Sequence, residues 1–178
     1  MASASKTPNL NLPQWLETEK PERTDFNAAF DAIDDVLFVV PACRVYNSTD
    51  QAVTSGVAKV LSFDTERFDT DNIHDATTYP TRLTCRTAGV YLIIGHMSFT
   101  SNPDGNRQLL VKVNDTNFIT YVEDDCPPVG TFRPMLTTIY YLNEGDYVEL
   151  HALQTSGVTL YARYQADFST EFMMVRIG

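Results

Sequence analysis

The 178-residue sequence predicts an all-β protein, a sandwich or barrel of short strands preceded by a short arm and helix. Three observations carry this. Ten Phe and nine Tyr, with abundant Thr and Val, favour strands over helices. From about residue 38 onward, short strand-like runs are cut by turn signals at irregular intervals, as in a sandwich or barrel. Within them, RTAGVYLIIGHMSFTS (residues 86–101) is apolar on both faces, with Val90, Leu92 and Ile94 on one and Tyr91, Ile93, Met97 and Phe99 on the other. A strand with one face in water alternates apolar with polar, so this one must be covered on both sides.

The chain opens on a polar leader, residues 1 to about 23, with Pro8, Pro13, Pro21 and the only tryptophan, Trp15. It is too polar to form a core by itself. TDFNAAFDAIDDVL follows, with Thr24 or Asp25 as N-cap, acidic residues early, and Phe26, Phe30, Ile33 and Leu37 at spacings of four, three and four. That is one apolar stripe of a short helix. About three turns are marginal alone in water, so the stripe packs on its own domain or on copies of itself, as in a short coiled-coil seam. The chain therefore divides into residues 1–37, arm and helix, and 38–178, a β head.

Strands of the head are expected at FVV, ACRVYN, GVAKVLSF, TRLTCR, GVYLIIGHMSFT, RQLLVKVN, NFITYVE, MLTTIYYLN, DYVELHAL, VTLYARYQADF and FMMVRIG. Turns fall at Asn102-Pro103-Asp104-Gly105, Asn114-Asp115 and Glu144-Gly145-Asp146, whose residue types supply the backbone angles of tight turns. A domain of this size buries roughly 70% of its unfolded surface. With 43% apolar and 20% charged residues, the composition is that of a folded globular chain.

A formal net charge of −10 repels phosphate backbones and anionic headgroups, which points away from nucleic acid and membrane partners. No segment approaches the roughly 20 apolar residues of a membrane span, and MASASKTPNLNLPQW lacks an apolar signal core, so synthesis and folding in a cytoplasm are expected. Cys43, Cys85 and Cys126 are widely spaced without a C-x-x-C pair, and read as free thiols, the first two inside strands and the third in a loop. There is no G-x-S-x-G, no H-E-x-x-H and no Gly-rich phosphate loop, and His74, His96 and His151 stand apart. His96 reads as a satisfied structural histidine and His151 as an interface or surface residue. An enzyme is not expected.

Asp64, Asp69, Asp71 and Asp75 gather in SFDTERFDTDNIHDATTYP and invite a calcium reading. Counting from Asp69, position six is His74 where an EF-hand has Gly, and position twelve is Pro80 where it has Glu. A solvated acidic loop is the default, and no metal ligand is assigned. The loop EDDCPPVGTFRP (123–134) is the best recognition element, with Asp124, Asp125, Phe132 and Arg133 as candidate receptor-binding residues, since Phe and Arg are types that carry binding energy. Phe132 tucked into the sandwich rim is the alternative.

Four spaced signatures resemble the C1q/TNF-like jelly roll: Ala88-Gly89-Val90-Tyr91, Arg107 to Leu110 leading into Val113-Asn114, Asn143-Glu144-Gly145-Asp146-Tyr147-Val148, and the terminal FMMVRIG. The resemblance covers residues 41 to 178. Asp115 stands where the family commonly has glycine after asparagine, and Asp tolerates left-handed angles, so the hairpin is expected to survive. No collagen-like stalk is present, which points away from an animal C1q relative.

The resemblance implies a compact homotrimer whose inner sheets surround a threefold axis, so sister chains would cover the second face of the apolar strand. By analogy Val90, Leu92 and Ile94 fall to the sandwich core, and Tyr91, Ile93, Met97 and the terminal Phe172 to the trimer interface, with Gly95 allowing close approach. Some domains of the family bind calcium, so calcium is the one cofactor considered.

The leader, whose LPQWLETEKPERTDFNAAFDAID runs over residues 12 to 34, resembles over residues 10 to 34 the N-terminal segment of phage structural proteins of Gram-positive hosts. Leu12, Pro13, Trp15, Asp25, Phe26, Asn27, Ala29, Ile33 and Asp34 match, with a longer polar spacer between the halves. This implies a virion attachment arm in which Leu12, Pro13, Trp15, Phe26, Phe30 and Ile33 engage capsid, neck or tail proteins. The expected function is that of a non-enzymatic trimeric virion fibre or spike whose head touches a host-surface glycan or protein. Particle decoration without receptor binding is the alternative, and a bacterial surface C1q-like binding protein a lesser one.

Overall fold

A computed structural model describes residues 5–7, 12–15, 20–38, 40–125, 131–166 and 169–178, and Cys126 lies outside these. By its contacts the chain separates into two units, Met1–Val40 and Pro41–Gly178.

In the first unit, β1 (Ser5–Lys6) pairs antiparallel with β2 (Pro13–Gln14), and α1 runs Arg23–Phe38. The helix starts one residue before Thr24, so the cap is Glu22 rather than Thr24 or Asp25. Asp25, the third helical residue, reaches back to accept the Glu22 N–H at 2.8 Å, which is half of a capping box and places a negative charge in the first turn. Trp15 packs on Phe26 with ring centroids 5.1 Å apart. Phe30 is 64% exposed, so part of the apolar stripe stands open, and the Leu37 side chain lies outside the described residues. No helix among the described residues is long and apolar enough to cross a membrane.

The second unit is an all-β sandwich. Its strands are β3 (Ala42–Tyr46), β4 (Gln51–Val53), β5 (Lys59–Val60), β6 (Thr65–Asp69), β7 (His74–Asp75), β8 (Tyr79–Thr84), β9 (Gly89–His96), β10 (Asn106–Val113), β11 (Asn117–Asp125), β12 (Met135–Leu142), β13 (Tyr147–Gln154), β14 (Leu160–Ala162) and β15 (Glu171–Arg176). One sheet has the order β12-β9-β15-β3-β6. The other has β11-β10-β13-β8-β7, with β5 also on β13, and β14 pairs β4 in a small ribbon. The register is antiparallel throughout. The β10–β11 turn survives the missing glycine as expected, with Asn114 at φ 50° and Asp115 at φ 53° and the Thr116 N–H donating to the Val113 carbonyl at 3.0 Å.

The two sheets face each other across one core, and the buried face of β9 is the opposite of the one expected. Tyr91, Ile93, Gly95 and Met97 point inward with Phe172 and Met174 of β15, while Val90, Leu92 and Ile94 lie half-buried on the outside. Tyr91, Ile93, Gly95, Met97 and Phe172 are thus interior to the single chain and are not interface residues. Two contacts explain the reversal. The Tyr91 hydroxyl donates to the Thr87 carbonyl at 2.7 Å, so its one polar atom is satisfied inside. A Cβ on Gly95 would lie 2.6 Å from Leu150 Cδ1, so glycine lets β9 approach the opposing sheet rather than a sister chain. Phe63 and Phe172 stack at 5.9 Å.

Cys43 and Cys85 are buried free thiols, as expected. Burial drives the Cys85 thiol upward, so it stays protonated and behaves as a small hydrophobe. Arg107 is fully buried, its guanidinium donating to the carbonyls of Asp104 (2.8 Å), Asn106 (3.0 Å) and Asn102 (2.9 Å), which ties the loop before β10 to the strand. The inward placement is checked by Phe172→Ala, which is expected to lower stability by about 3–5 kcal/mol in denaturant unfolding. A loss under about 1 kcal/mol would put this ring outside the core.

Candidate functional site

Antiparallel register stacks residues of the five-stranded sheet in rows on its outer face. Met135, His96, Glu171 and Tyr46 form one row; Thr137, Ile94, Met173 and Arg44 the next; and Ile139, Leu92, Val175 and Ala42 a third. Tyr141 and Val90 continue the apolar end. Met135, Ile139, Tyr141 and Phe68 are 66, 61, 56 and 49% exposed. Between them lies a hollow of about 290 Å³ walled by Ala42, Phe68, Leu92, Ile94, Met173 and Val175. So many contiguous large apolar side chains left open on a single chain make this face a candidate association surface.

At the other end the face becomes polar. A cavity of about 550 Å³ is bordered by Arg44, Arg67, His96, Ser98, Arg133 and Glu171. Glu171 is only 2% exposed, and both its oxygens are taken: Oε2 accepts from Arg44 Nε, and Oε1 from Arg67 Nε at 2.8 Å. Burial drives this carboxyl upward, but hydrogen bonds from Arg67 and Arg44, reinforced by their charges, outweigh it and hold Glu171 below the usual glutamate value. Arg67 also lies 4.7 Å over the Tyr46 ring, which stacks on Tyr164 at 6.3 Å. Burial lowers His96 despite the pull of Glu171 3.8 Å away, which favours the neutral imidazole.

The four expected receptor residues do not converge. Asp124 and Asp125 are exposed at the end of β11, opposite Arg107 and Asn106, Phe132 packs against the core, and Arg133 borders the polar cavity. Of the attachment residues, Leu12, Pro13, Trp15, Phe26, Phe30 and Ile33 all belong to the first unit. The Arg44–Glu171–Arg67 group escaped the sequence reading, because the only local signal is a charged side chain at one position of an otherwise apolar strand, as in ACRVY.

The acidic segment does not gather its carboxylates. Asp64 accepts from the Ser48 N–H and hydroxyl, Asp69 from the N–H groups of Asp71 and His74, Asp71 from the Thr87 hydroxyl, and Asp75 from the N–H groups of Thr77 and Thr78. Asp69 and Asp75 close local turns, while Asp64 and Asp71 each tie the segment to a residue sixteen positions away. Among the described residues, one set of three ligating groups does converge elsewhere: Asp115, Glu149 and His151, with ligand atoms within 4.8 Å of one another. His151 is 4% exposed, so it is neither a surface residue nor part of the apolar face. Burial lowers its pKa, with Glu149 pulling the other way.

No family model matches the sequence, and no curated protein matches it. Solved structures do match in fold. The globular domain of zebrafish complement 1qA is 18% identical at a TM-score of 0.56, over 78% of this chain and 98% of its own. Murine APRIL at pH 5.0 is 8% identical at 0.59, over 78% and 99%, and Eiger TNF from S. frugiperda 10% identical at 0.58, over 78% and 93%. The chain therefore has the C1q/TNF jelly-roll fold.

His96 and His151 have folded pKa values below 6.5, and Glu171 below 4.5. In each case the unfolded chain binds more protons, so stability rises with pH. Denaturant midpoints measured from about pH 8 to about pH 3 are expected to fall first as pH drops through the ordinary histidine range and again as it drops through the ordinary glutamate range. Glu171→Gln is expected to lower stability at neutral pH and flatten the acid limb. A midpoint that rises on acidification would contradict this ordering.

Proposed function

We propose that this chain is a non-enzymatic, self-associating structural protein, a homotrimeric bacteriophage virion protein whose N-terminal arm anchors it and whose jelly-roll head projects outward to touch a host surface. The open apolar outer face of the five-stranded sheet is the observation that carries the association. Leaving one Met or Ile side chain wet forgoes roughly 1.5–3 kcal/mol, and cyclic symmetry repeats every contact three times. A closed ring of three satisfies the face without exposing a further copy of it. The charged group around Glu171 at one end of the face supplies register, since apolar packing alone tolerates sliding.

The virion reading rests on the leader's resemblance and on physical fit: an arm carrying Trp15 against Phe26, with prolines that restrict the unfolded chain, is suited to insertion between neighbouring subunits. Adhesion by the head is supported by its position at the end of such an arm. Decoration of the particle is the second reading, in which extended arms give avidity and the head binds nothing.

The native mass tests the association. Wild-type protein is expected at three times 20.0 kDa at micromolar concentration, and Leu92→Asp or Ile139→Asp as a folded monomer with unchanged circular dichroism. A monomeric wild type sinks the proposal. Deletion of residues 1–37 is expected to abolish incorporation into particles while leaving an assembled head that binds host cells. A head without affinity for cells or glycans, whose loss only makes particles fragile, would favour decoration.

A further inference from the structure

A second group of polar side chains stands on the opposite sheet, away from the apolar face. Glu149 and His151 are two residues apart on β13 and so share a face. Asp115 joins them from the β10–β11 turn. That turn is held in place, because Asn114 donates from Nδ2 to Asp146 at 2.8 Å and accepts the Tyr147 N–H at 2.9 Å, while its own N–H donates to the Tyr147 carbonyl at 3.0 Å. The Asp115 carboxylate is therefore brought to β13 by a braced hairpin end.

Two partners orient Glu149: its Oε1 accepts from the Thr81 hydroxyl at 2.8 Å and from Arg82 Nε at 3.3 Å. Its Oε2 faces His151 Nε2 at 3.9 Å, too far for a hydrogen bond. That nitrogen is buried and without a hydrogen-bond partner, a state proteins rarely tolerate unless a ligand or ordered water takes the place. The Phe118 ring stands edge-on to the imidazole, 6.4 Å between centroids, and limits how the ring can turn.

We propose that Asp115, Glu149 and His151 bind one divalent first-row transition-metal ion, zinc fitting best, with water completing the coordination. Zinc holds imidazole nitrogen and carboxylate oxygen at about 2.0–2.2 Å, so two ligands at a tetrahedral angle stand roughly 3.4 Å apart. The 3.9 Å gap between Glu149 and His151 closes to that by a small side-chain rotation. One imidazole with two carboxylates selects zinc and its neighbours over calcium and magnesium, which prefer all-oxygen shells. Thr81 and Arg82 are the outer partners that fix the Glu149 carboxylate.

Lys112 stands at the edge of the group, its Nζ 3.3 Å from Asp115 Oδ1 and 4.9 Å over the Phe118 ring. A dication replaces it at the carboxylates, and the lysine stem swings its ammonium into water. Nothing here depends on the oligomeric state or on a virion role.

The full-length chain, stripped with a chelator, is titrated with zinc by calorimetry and with cobalt by visible absorption. One ion per chain is expected, unaffected by excess calcium. Asp115→Asn and His151→Gln are each expected to weaken zinc binding by at least about tenfold, and Glu144→Gln, at an exposed turn, to leave it unchanged. Asp115 is exposed, so its variant keeps the test decisive even if the buried His151→Gln does not fold. Absence of saturable zinc or cobalt binding, competition by calcium, or an affinity indifferent to Asp115→Asn would each overturn the site.

Discussion

The approach of β9 to the opposing sheet at Gly95 decides which half of an evenly apolar strand becomes core. With no side chain at 95, Leu150 of β13 fills the space a Cβ would need, and the two sheets close on each other there. Once Gly95 faces inward, period two carries Tyr91, Ile93 and Met97 with it and sends Val90, Leu92 and Ile94 outward. Pairing then transmits this parity across the sheet, because Met173 and Val175 of β15 and Thr137 and Ile139 of β12 are registered on the outward residues of β9. The interior and the exposed apolar face are two outcomes of one steric fact.

That dependence explains what could be seen in the sequence and what could not. The sandwich was legible, since turn residues punctuate the runs and AGVY and EGDYV sit where the jelly roll needs them. So was the apolar character of both faces of residues 89–97. Parity was not, because hydrophobicity alone cannot rank two apolar faces, and the family analogy gave Tyr91, which has zero exposure in the chain, to the interface. Only the hydrogen bond to the Thr87 carbonyl, a local closure four residues upstream, makes the interior available to it. The helix was legible from its stripe, while its cap was missed by two or three residues because Asp25 caps backwards, onto Glu22. The Arg44–Glu171–Arg67 group joins residues more than a hundred positions apart and left no trace in any window.

The polar end of the outer face constrains the apolar end. A carboxylate at 2% exposure is costly unless charge and hydrogen bonds compensate it, and here two guanidiniums do so from neighbouring strands. This ties β3, β6 and β15 together at the rim of the sheet and fixes the orientation of Arg44 and Arg67 before any partner arrives. In a chain of net charge −10, a rim with ordered arginines is the one part of this face that would meet acidic groups favourably. In the proposed assembly, apolar area would supply adhesion and the rim alignment.

Two buried glutamates show why partner count matters more than burial in reading a site. Glu171 has both oxygens engaged by arginine, so its coordination is complete and its role is structural. Glu149 is nearly as deeply buried, at 6% exposure, yet its two hydrogen-bond donors, Thr81 and Arg82, both bind Oε1, and its other oxygen looks across 3.9 Å at an imidazole nitrogen that has no partner. A carboxylate with both oxygens engaged resists a newcomer, whereas Glu149 Oε2 and His151 Nε2 have no hydrogen bond to each other, and the two residues stand with Asp115, ligating atoms within 4.8 Å of one another. The chemistry of this second group is what the proposed metal site needs, and the braced turn carrying Asp115 brings the second carboxylate to it.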